Sequence, residues 1–420
     1  MMRDSRLHVP HPPARPGQTP DFSYLQISPA GALARPEVTA AFTDIELLAT
    51  GMVRVLDEQH QAVGPWNPHL EPDELQVGLR HMLLTRLFDQ RMQMIQRQGR
   101  ISFYVRSLGE EAVSVAQTMA LRPDDMLFPS YRNQGLHIAR GHSLVELMCQ
   151  CLSNTRDMCK GRQMPVMYHW GSGNIFSISG NLATQYPQAV GWAMAAALKG
   201  EDRIAAAWIG EGSSAEADFH HGMTFAAVYR APVILNIVNN QWAISSFQGV
   251  AGGEQRSFAA RGPGYGIAGI RVDGNDFLAL HAVTAWAAER ARRGSGATLI
   301  EPVTYRASAH STSDDPARYR PRDDWQAWPL GDPIERLKQH LIALGEWSTQ
   351  RHEQLVAQLE AHVVECWMQA QQSGTMTEGP RLDPRTMFED VLATMPPHLV
   401  RQRQQLDREL LAATQDVQPT

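Results

Sequence analysis

Two short polar segments contain the kind of ligands that a divalent cation and a diphosphate require. The first is Gly-Glu-Gly at positions 210–212, and the second is Asn-Asn at positions 239–240. Mg²⁺ binds hard oxygen atoms, usually a few from the protein and the rest from phosphates and water. Glu211, the side-chain oxygen of Asn240 and the backbone carbonyl of Trp242 are candidates. Either segment alone is a common turn sequence, so the pair is the informative feature.

A strand–helix–strand unit would bring the two segments together. The apolar run Ile204–Ile209 ends at the first segment, a helix is predicted over Ala215–Tyr229, and the apolar run Val233–Val238 leads into the second. In parallel α/β sheets, ligands bind at the carboxyl ends of the strands. Glycine lets the backbone approach a ligand closely, and the N-terminus of the following helix offers free N–H groups to a phosphate.

Two further segments contain side chains that could bind a phosphate or transfer a proton near such a site. Tyr131 and Arg132 follow a short predicted strand, and the planar guanidinium suits a phosphate, although a surface arginine is the alternative. His310 follows the predicted strand Ala297–Tyr305 in a polar loop that we expect to be mobile. Imidazole is the natural proton donor near neutral pH, and the alternative is an ordinary surface histidine.

Oxygen-bearing residues also cluster before a predicted buried helix. They are Ser179, Asn181, Thr184 and Gln185. Capping of the helix by Ser179 or Asn181 is the structural alternative to a binding role. Phe103 and Tyr104, in the strand-like segment Gly99–Gly109, could line an apolar substrate pocket or simply pack within a strand.

The amino-acid sequences of these segments resemble those of a known family. Gly-Glu-Gly followed by Asn-Asn is similar to the thiamin diphosphate motif. The longer runs G-E-G-S-S-A-E-A-D and N-N-Q-W-A-I-S resemble the E1 α-subunits of the 2-oxo acid dehydrogenase complexes, as does K-G-R-Q-M-P-V-M-Y at Lys160–Tyr168. H-S-T-S-D-D, which begins at His310, resembles the branched-chain type. The resemblance covers about Val55–Leu399.

The resemblance implies a set of functional residues. The implied cofactor-binding residues are Tyr131, Arg132, Leu182, Gly210, Glu211, Gly212, Ser213, Asn240 and His310, with His310 catalytic. The implied Mg²⁺ ligands are Glu211, Asn240 and Trp242, and a K⁺ site would use Ser179, Asn181, Thr184 and Gln185. The chain departs from its relatives at Gly180–Asn181, often Ser-Pro, and at Val238, often an arginine that helps to bind the diphosphate. Ser311 matches a phosphorylated position of mitochondrial relatives, but the second such position is Pro321.

The resemblance also implies a fold, partners and a reaction. The fold is the thiamin-diphosphate-binding α/β fold, with a mostly parallel sheet between helices. The partners are an E1 β-subunit in an α2β2 heterotetramer, with the cofactor between subunits, and the lipoyl domain and core of E2. The reaction is oxidative decarboxylation of a branched-chain 2-oxo acid. The carboxylate that activates the cofactor belongs to the β-subunit, so we expect this chain alone to be inactive. Alternatives are a pyruvate or acetoin enzyme, or a non-catalytic scaffold that kept the fold.

Composition and segment boundaries complete the prediction. The net charge of −6 argues against a nucleic-acid partner, and no apolar run is long enough to span a membrane. The absence of an apolar signal core at the N-terminus and four unpatterned cysteines favour a cytoplasmic, bacterial protein with reduced thiols. We divide the chain into an extended, partly disordered arm (1–50) that can lie on a partner subunit, a thiamin diphosphate domain (51–330) and a C-terminal helical region (331–420).

Overall fold

The computed structural model describes residues 7–252 and 256–415. Within them the strands are β1 (Met52–Val53), β2 (Met126–Phe128), β3 (Ala205–Gly210), β4 (Val233–Val238), β5 (Trp242–Ala243), β6 (Ser246–Phe247), β7 (Ala268–Asp273) and β8 (Thr298–Val303). The α-helices are α1 (Leu47–Thr50), α2 (Pro72–Arg97), α3 (Glu111–Met119), α4 (Gln134–Ala139), α5 (Leu144–Leu152), α6 (Gln185–Leu198), α7 (Ala217–Val228), α8 (Arg261–Tyr265), α9 (Phe277–Arg292), α10 (Pro333–Ala343), α11 (Thr349–Gln371) and α12 (Pro397–Gln415). Short 3₁₀ turns cover Phe42–Ile45, Gly171–Gly173, Glu211–Ala215, Gln248–Ala251, Pro316–Arg318, Asp324–Ala327 and Pro384–Phe388.

Six strands form one parallel sheet in the order β1-β7-β8-β4-β3-β2, and β5 and β6 form a separate hairpin. β3 and β4 are adjacent along their whole length, from Ala205 opposite Val233 to Gly210 opposite Val238. Their carboxyl ends therefore meet at one edge of the sheet. The predicted α/β fold, a mostly parallel sheet between helices, is confirmed.

Alternate residues of β3 and β4 face different cores, as the period of a strand requires. Ala206 and Trp208 pack on the side of α2, α3 and α9. Ala207, Ile209 and Leu235 pack on the side of α6 and α7. Because both faces are covered, the two strands are apolar apart from Asn236, which explains why a mainly apolar run predicted β4 with its observed bounds.

Three segments differ from the sequence prediction. The helix predicted over 215–229 begins at Ala217, since Glu211–Ala215 form a 3₁₀ turn. Gly99–Gly109 is not a strand. Its polar groups are satisfied by side chains instead: the Ser107 N–H donates to Asp89 Oδ2 at 2.6 Å. Residues 7–41 form no helix or strand, as predicted for the arm, but Phe42–Ile45 and Leu47–Thr50, also predicted to be extended, form a 3₁₀ turn and a short helix. The described part of the arm packs on its own chain, and a contact with a partner subunit stays a prediction. Phe22, for example, packs edge-on against Tyr305 with ring centroids 5.4 Å apart.

The C-terminal helices α10 and α11 pack against α2, and α11 also contacts α5. The three-part division of the chain stays a prediction. All four cysteines are free, with Cys149, Cys151 and Cys366 buried, as expected for reduced thiols. No helix in the described part of the chain combines the length and apolar character needed to cross a bilayer.

Candidate active site

A cleft of about 220 Å³ opens at the carboxyl ends of β3 and β4. Every residue predicted for the site lines it except Thr184, which bonds to a lining residue. The lining residues are Glu110, Ser130, Tyr131, Arg132, Ser179, Asn181, Leu182, Ala183, Gln185, Ile209, Gly210, Glu211, Gly212, Ser213, Val238, Asn240, Trp242, Ala243, Ile244 and His310. Residues up to 200 positions apart in the sequence thus meet where the strand–helix–strand unit was predicted to bind a ligand.

Glu211 is a buried carboxylate with an unused acceptor. It directly follows β3 and is 1% exposed. Its Oε1 has no hydrogen-bond partner among the described residues. Burial raises the pKa of Glu211 to about 7, although nearby Arg306 and Arg132 oppose the shift. An unpaired buried carboxylate oxygen is costly, and a bound cation would satisfy it.

Asn240 is held by a carboxylate that the sequence analysis missed. Its Nδ2 donates to Glu110 Oε1 at 2.8 Å, and its Oδ1 accepts from the Trp242 N–H at 3.3 Å. Glu110 also lies 3.6 Å from Arg132 Nε. Burial raises the pKa of Glu110 to about 7 against the effect of Arg132. In the sequence Glu110 looks like an ordinary acidic residue at the start of a helix, so no local signal marked it.

The Trp242 carbonyl, the third predicted metal ligand, already accepts a hydrogen bond. Arg306 Nη1 donates to it at 2.8 Å, and Nη2 donates to the Ile244 carbonyl at the same distance. The Trp242 carbonyl and Asn240 Oδ1 thus each accept one hydrogen bond already, whereas Glu211 Oε1 has no partner among the described residues. No group of three His, Cys, Asp or Glu side chains within residues 7–252 and 256–415 is arranged to hold a metal. A cation here would depend on mixed carboxylate, amide and carbonyl oxygens.

Gly210 and Gly212, the two glycines of the first segment, have different surroundings. A Cβ on Gly210 would meet nothing within 4 Å, so this residue borders open space in the cleft. A Cβ on Gly212 would lie 2.4 Å from the Cβ of Ala243, so this glycine allows close packing of the hairpin. The expected helix N-terminus is also displaced: the cleft is lined by the 3₁₀ turn rather than by α7.

Arg132 connects the cleft to the loop that carries His310. Its Nη2 donates to the His310 carbonyl at 3.0 Å and lies 3.3 Å from His310 Nδ1, while Nη1 donates to the Arg106 carbonyl. The Tyr131 ring meets the His310 ring edge-on, with centroids 6.0 Å apart. Tyr131, Arg132 and His310 are therefore in contact, as predicted for one site.

His310 is a neutral imidazole in this environment. Burial, followed by the charges of Arg132 and Arg306, lowers its pKa to about 3, and Asp314 only partly opposes them. Both guanidinium groups approach Nδ1, at 3.3 and 3.4 Å, so Nδ1 is the acceptor and Nε2 carries the proton. Burial and the two arginines that face the ring therefore lower the pKa of His310 below the neutral range that the sequence analysis assumed, and its catalytic role stays a prediction.

The loop after His310 is fastened at both ends. Asp314 Oδ2 accepts from the His310 N–H at 2.7 Å and from the Tyr319 hydroxyl at 2.6 Å. The Thr312 N–H donates to the Tyr104 carbonyl at 3.0 Å. Tyr104 itself is buried and donates to Asp89, which favours packing over a place in the substrate pocket. The mobility of this loop stays a prediction.

The segment from Ser179 to Gln185 forms one wall of the cleft. Neither Ser179 nor Asn181 caps α6, so the capping alternative is wrong. Ser179 Oγ accepts from the Asn181 N–H at 3.1 Å, and Thr184 Oγ1 donates to the Asn181 carbonyl at 3.0 Å. Gln185 Oε1 is buried and has no partner among the described residues. Together, Glu211 Oε1 and Gln185 Oε1 give the cleft two buried acceptor atoms without a hydrogen-bond partner among the described residues.

Apolar side chains line the rest of the cleft. They are Leu182, Ala183, Ile209, Val238, Ala243 and Ile244. Leu182 and Ile244 are 47% and 54% exposed, which is unusual for aliphatic side chains beside a polar site. Val238 belongs to this apolar surface, at the position where relatives often carry an arginine. Arg306 is a positive charge close to Glu211.

Two family models match the sequence of this chain. The model of the dehydrogenase E1 component matches residues 79–378, and that of the N-terminal segment of the 2-oxoisovalerate dehydrogenase E1 α-subunit matches residues 4–53. The resemblance thus begins earlier than the predicted Val55 and includes the arm.

Individual relatives span almost the whole chain. The 2-oxoisovalerate dehydrogenase subunit alpha of Pseudomonas aeruginosa is 59% identical over 401 residues, covering 96% of this chain and 98% of its own. The mitochondrial human protein of the same name is 38% identical over 412 residues, covering 95% and 89%. The mitochondrial subunit alpha 2 of Arabidopsis thaliana is 37% identical, covering 85% and 75%. The chain therefore belongs to the dehydrogenase E1 component family, among the α-subunits of the 2-oxoisovalerate dehydrogenase type.

Proposed function

We propose that this chain is the α-subunit of the E1 component of a branched-chain 2-oxo acid dehydrogenase complex. With its β-subunit it would carry out the oxidative decarboxylation of branched-chain 2-oxo acids and the reductive acylation of the lipoyl group of E2. The observation that carries the proposal is the convergence of Glu211, Asn240, Arg132 and His310 in one cleft at the carboxyl end of a parallel sheet.

E1 dehydrogenases in general depend on thiamin diphosphate. When bound, this cofactor supplies a carbon nucleophile and accepts the electron pair released with CO₂. The cleft fits the charged part of such a group, because it combines the unpartnered Oε1 of buried Glu211 with the buried cation of Arg132. The role of this chain is to bind and orient the cofactor.

Mg²⁺ would be held by Glu211 and Asn240, with the Trp242 carbonyl as a third ligand. Glu110 supports this assignment because it accepts from Asn240 Nδ2, so that Oδ1, which accepts one hydrogen bond from the Trp242 N–H, is the amide atom that would share its second lone pair with a cation. The diphosphate would contact Tyr131, Arg132 and the backbone of residues 210–213. Leu182 would pack against the apolar part of the cofactor.

His310 would act on the substrate rather than on the diphosphate. In its neutral form, with Nδ1 facing Arg132 and Arg306, it has Nε2–H as the ring group left to donate a hydrogen bond, which would stabilise charge that develops on an oxygen of the substrate. We assign it to acyl transfer toward the lipoyl group. The aliphatic surface of Ile209, Val238 and Ile244 is suited to a branched hydrocarbon side chain.

A monovalent cation such as K⁺ would bind in the wall formed by Ser179, Asn181, Thr184 and Gln185. The unpartnered Oε1 of Gln185 supports this proposal. The Asn181 carbonyl already accepts from Thr184, so a cation there would have to share that oxygen.

As an E1 α-subunit, the chain works in a complex with a β-subunit and E2. We propose an α2β2 heterotetramer in the bacterial cytoplasm, in which the β-subunit completes the cleft and brings the carboxylate that activates the cofactor. This chain alone would then be inactive with added thiamin diphosphate and Mg²⁺.

The test is a decarboxylation assay on the chain co-expressed with its β-subunit. Initial rates are measured with 3-methyl-2-oxobutanoate and with pyruvate, in the presence of thiamin diphosphate, Mg²⁺ and an artificial electron acceptor. We expect a strong preference for the branched substrate. Turnover of pyruvate alone would overturn the substrate assignment, and turnover by this chain without the β-subunit would overturn the shared site.

A further inference from the structure

The loop Asn239–Trp242 contains an energetically unfavourable backbone turn. Gln241 has a φ of +75°, the left-handed region that residues other than glycine seldom adopt. It stands between Asn240 and Trp242, both of which are assigned to the cation above. Such conformations persist only where the surroundings hold them, so the contacts of Gln241 decide how well the two ligands are placed.

The Gln241 side chain is completely buried and bonded on both sides of its amide. Nε2 donates to the Asn239 carbonyl at 3.1 Å and to the Thr304 carbonyl at 3.3 Å. Oε1 accepts from Gln248 Nε2 at 2.7 Å and from the Tyr24 hydroxyl at 3.0 Å. The first three partners belong to the sheet and hairpin that carry the loop, whereas Tyr24 lies 217 positions earlier in the chain.

The N-terminal arm brings Tyr24 to this point through aromatic packing. The Tyr24 ring meets Phe247 edge-on, with centroids 5.4 Å apart. Phe22 packs edge-on against Trp328 and Tyr305, and the Tyr305 hydroxyl accepts from Trp242 Nε1 at 3.2 Å. The arm therefore contacts the loop by two routes, one at Gln241 and one at Trp242.

We propose that Tyr24 is a positioning residue for the metal-ligand loop, acting through Gln241. The inference rests on the proposed function, because it takes Asn240 and Trp242 as residues that face the cation. Tyr24 itself does not line the cleft. The Tyr24 hydroxyl fixes the side-chain amide of Gln241. The fixed amide stabilises the left-handed backbone turn at Gln241. That turn determines the directions of Asn240 Oδ1 and the Trp242 carbonyl.

The experiment measures Mg²⁺ affinity in the complex with the β-subunit, at saturating thiamin diphosphate. Tyr24→Phe keeps the ring packing and removes only the hydroxyl. We expect its Kd for Mg²⁺ to rise about three- to tenfold, the effect of one buried hydrogen bond. The KM for Mg²⁺ should rise by the same factor, while kcat at saturating Mg²⁺ stays within about twofold.

Two further variants separate positioning from general loss of structure. Tyr168→Phe is the matched control, since this buried hydroxyl contacts Cys151 Sγ at 3.4 Å and lies outside the cleft. It should leave the Mg²⁺ affinity unchanged. Gln241→Leu removes the intermediate contact, so Tyr24→Phe should have no further effect in a Gln241→Leu background.

Each result bears on a separate statement. Unchanged Mg²⁺ affinity in Tyr24→Phe, or an equal loss in Tyr168→Phe, would overturn the positioning role. Additive losses in the double variant would overturn the route through Gln241. Failure of the unaltered complex to bind Mg²⁺ and thiamin diphosphate would overturn the proposed function, and with it this inference, before any variant is compared.

Discussion

One group of buried polar side chains packs beside β3 and β4, and a second lies at the carboxyl ends of these strands; the two groups differ in whether their hydrogen bonds are complete. The core network consists of Gln117, Trp208, Asn236 and Thr284. Gln117 Oε1 accepts from Trp208 Nε1 at 2.7 Å, and its Nε2 donates to Asn236 Oδ1 at 2.7 Å and to Thr284 Oγ1 at 3.2 Å. Asn236 Nδ2 donates in turn to the Ala207 carbonyl at 3.0 Å. All of these side-chain groups are paired.

The cleft cluster consists of Glu110, Arg132, Glu211, Asn240 and His310. It lies at the strand ends and includes two buried carboxylates whose pKa values burial raises to about 7. Glu211 Oε1 has no partner among the described residues. A complete network holds secondary-structure elements together, whereas an incomplete one retains polar groups that only a ligand would satisfy. The comparison thus separates polar residues kept for stability from polar residues kept for binding.

Replacing the unpaired carboxylate should have the largest effect. Glu211→Gln removes the negative ligand of the proposed cation, so decarboxylation by the complex should fall at least about 100-fold, more than the loss of an outer-shell partner typically costs. The free energy of unfolding should stay the same or rise, because an uncompensated buried charge is removed. Initial rates and urea unfolding check the two statements. Marked destabilisation would mean that Glu211 belongs with the core network.

Loss of the histidine should reduce transfer more than binding. In His310→Ala, acylation of the lipoyl domain should slow by about 100-fold, the usual effect of losing one hydrogen-bond donor to charge that develops in the transition state. The Kd for thiamin diphosphate should change less than about fivefold, since Arg132 remains bonded to the loop carbonyl. Rapid-quench kinetics with a lipoyl domain and calorimetric binding distinguish the steps. A large loss of cofactor affinity with normal acylation would contradict the role assigned to His310.

Disrupting the core network should affect stability alone. Gln117→Leu leaves Trp208 Nε1, Asn236 Oδ1 and Thr284 Oγ1 without their shared partner. The free energy of unfolding should fall by about 2–3 kcal/mol, the cost of unsatisfied buried groups. Urea unfolding measures this, and the Kd for Mg²⁺ should remain that of the unaltered protein. A change in Mg²⁺ affinity would show that the two groups are coupled across the sheet.

The smallest effect should be on the pH dependence of stability without ligand. The folded-state pKa of Glu211, about 7, lies above its unfolded value, so its contribution is complete below about pH 4.5 and is lost as pH rises through 7. The pKa values of His310 and His142, about 3 and about 4, are lowered, so their contribution is present above pH 6.5 and is lost on acidification.

Glu211→Gln should therefore lose less stability than the unaltered protein as pH rises from about 4.5 to about 7, with little further divergence above about pH 8. Melting temperatures across this range, measured without metal or cofactor, test the sign. A variant that follows the unaltered protein over the whole range would show that Glu211 keeps an ordinary pKa.

The sequence predicted the parts of the fold and cleft that depend on local pattern. Val233–Val238 was predicted with its observed bounds, because it is a mainly apolar run with a clear start and end. Glu211 and Asn240 were predicted to meet because parallel strands bring their carboxyl ends together.

The remaining features depend on contacts between distant segments. Glu110 reaches Asn240 across 130 positions, and Arg306 reaches the Trp242 carbonyl from a loop 64 positions away. Neither residue has a local signature, since an acidic residue at a helix start and an arginine after a strand are common. Burial, followed by the charges of Arg132 and Arg306, lowers the pKa of His310, so its protonation state could not be predicted from the loop sequence.

The most direct test of the binding cleft is a calorimetric titration of thiamin diphosphate into the complex with the β-subunit, with and without Mg²⁺. We predict binding that requires Mg²⁺ and is abolished by Glu211→Gln. Glu111→Gln is the control and should retain binding, because the buried Glu111 carboxylate pairs with Arg86 at 2.8 Å. Binding that survives Glu211→Gln, or that is indifferent to Mg²⁺, would contradict the assignment of this cleft to the metal and the diphosphate.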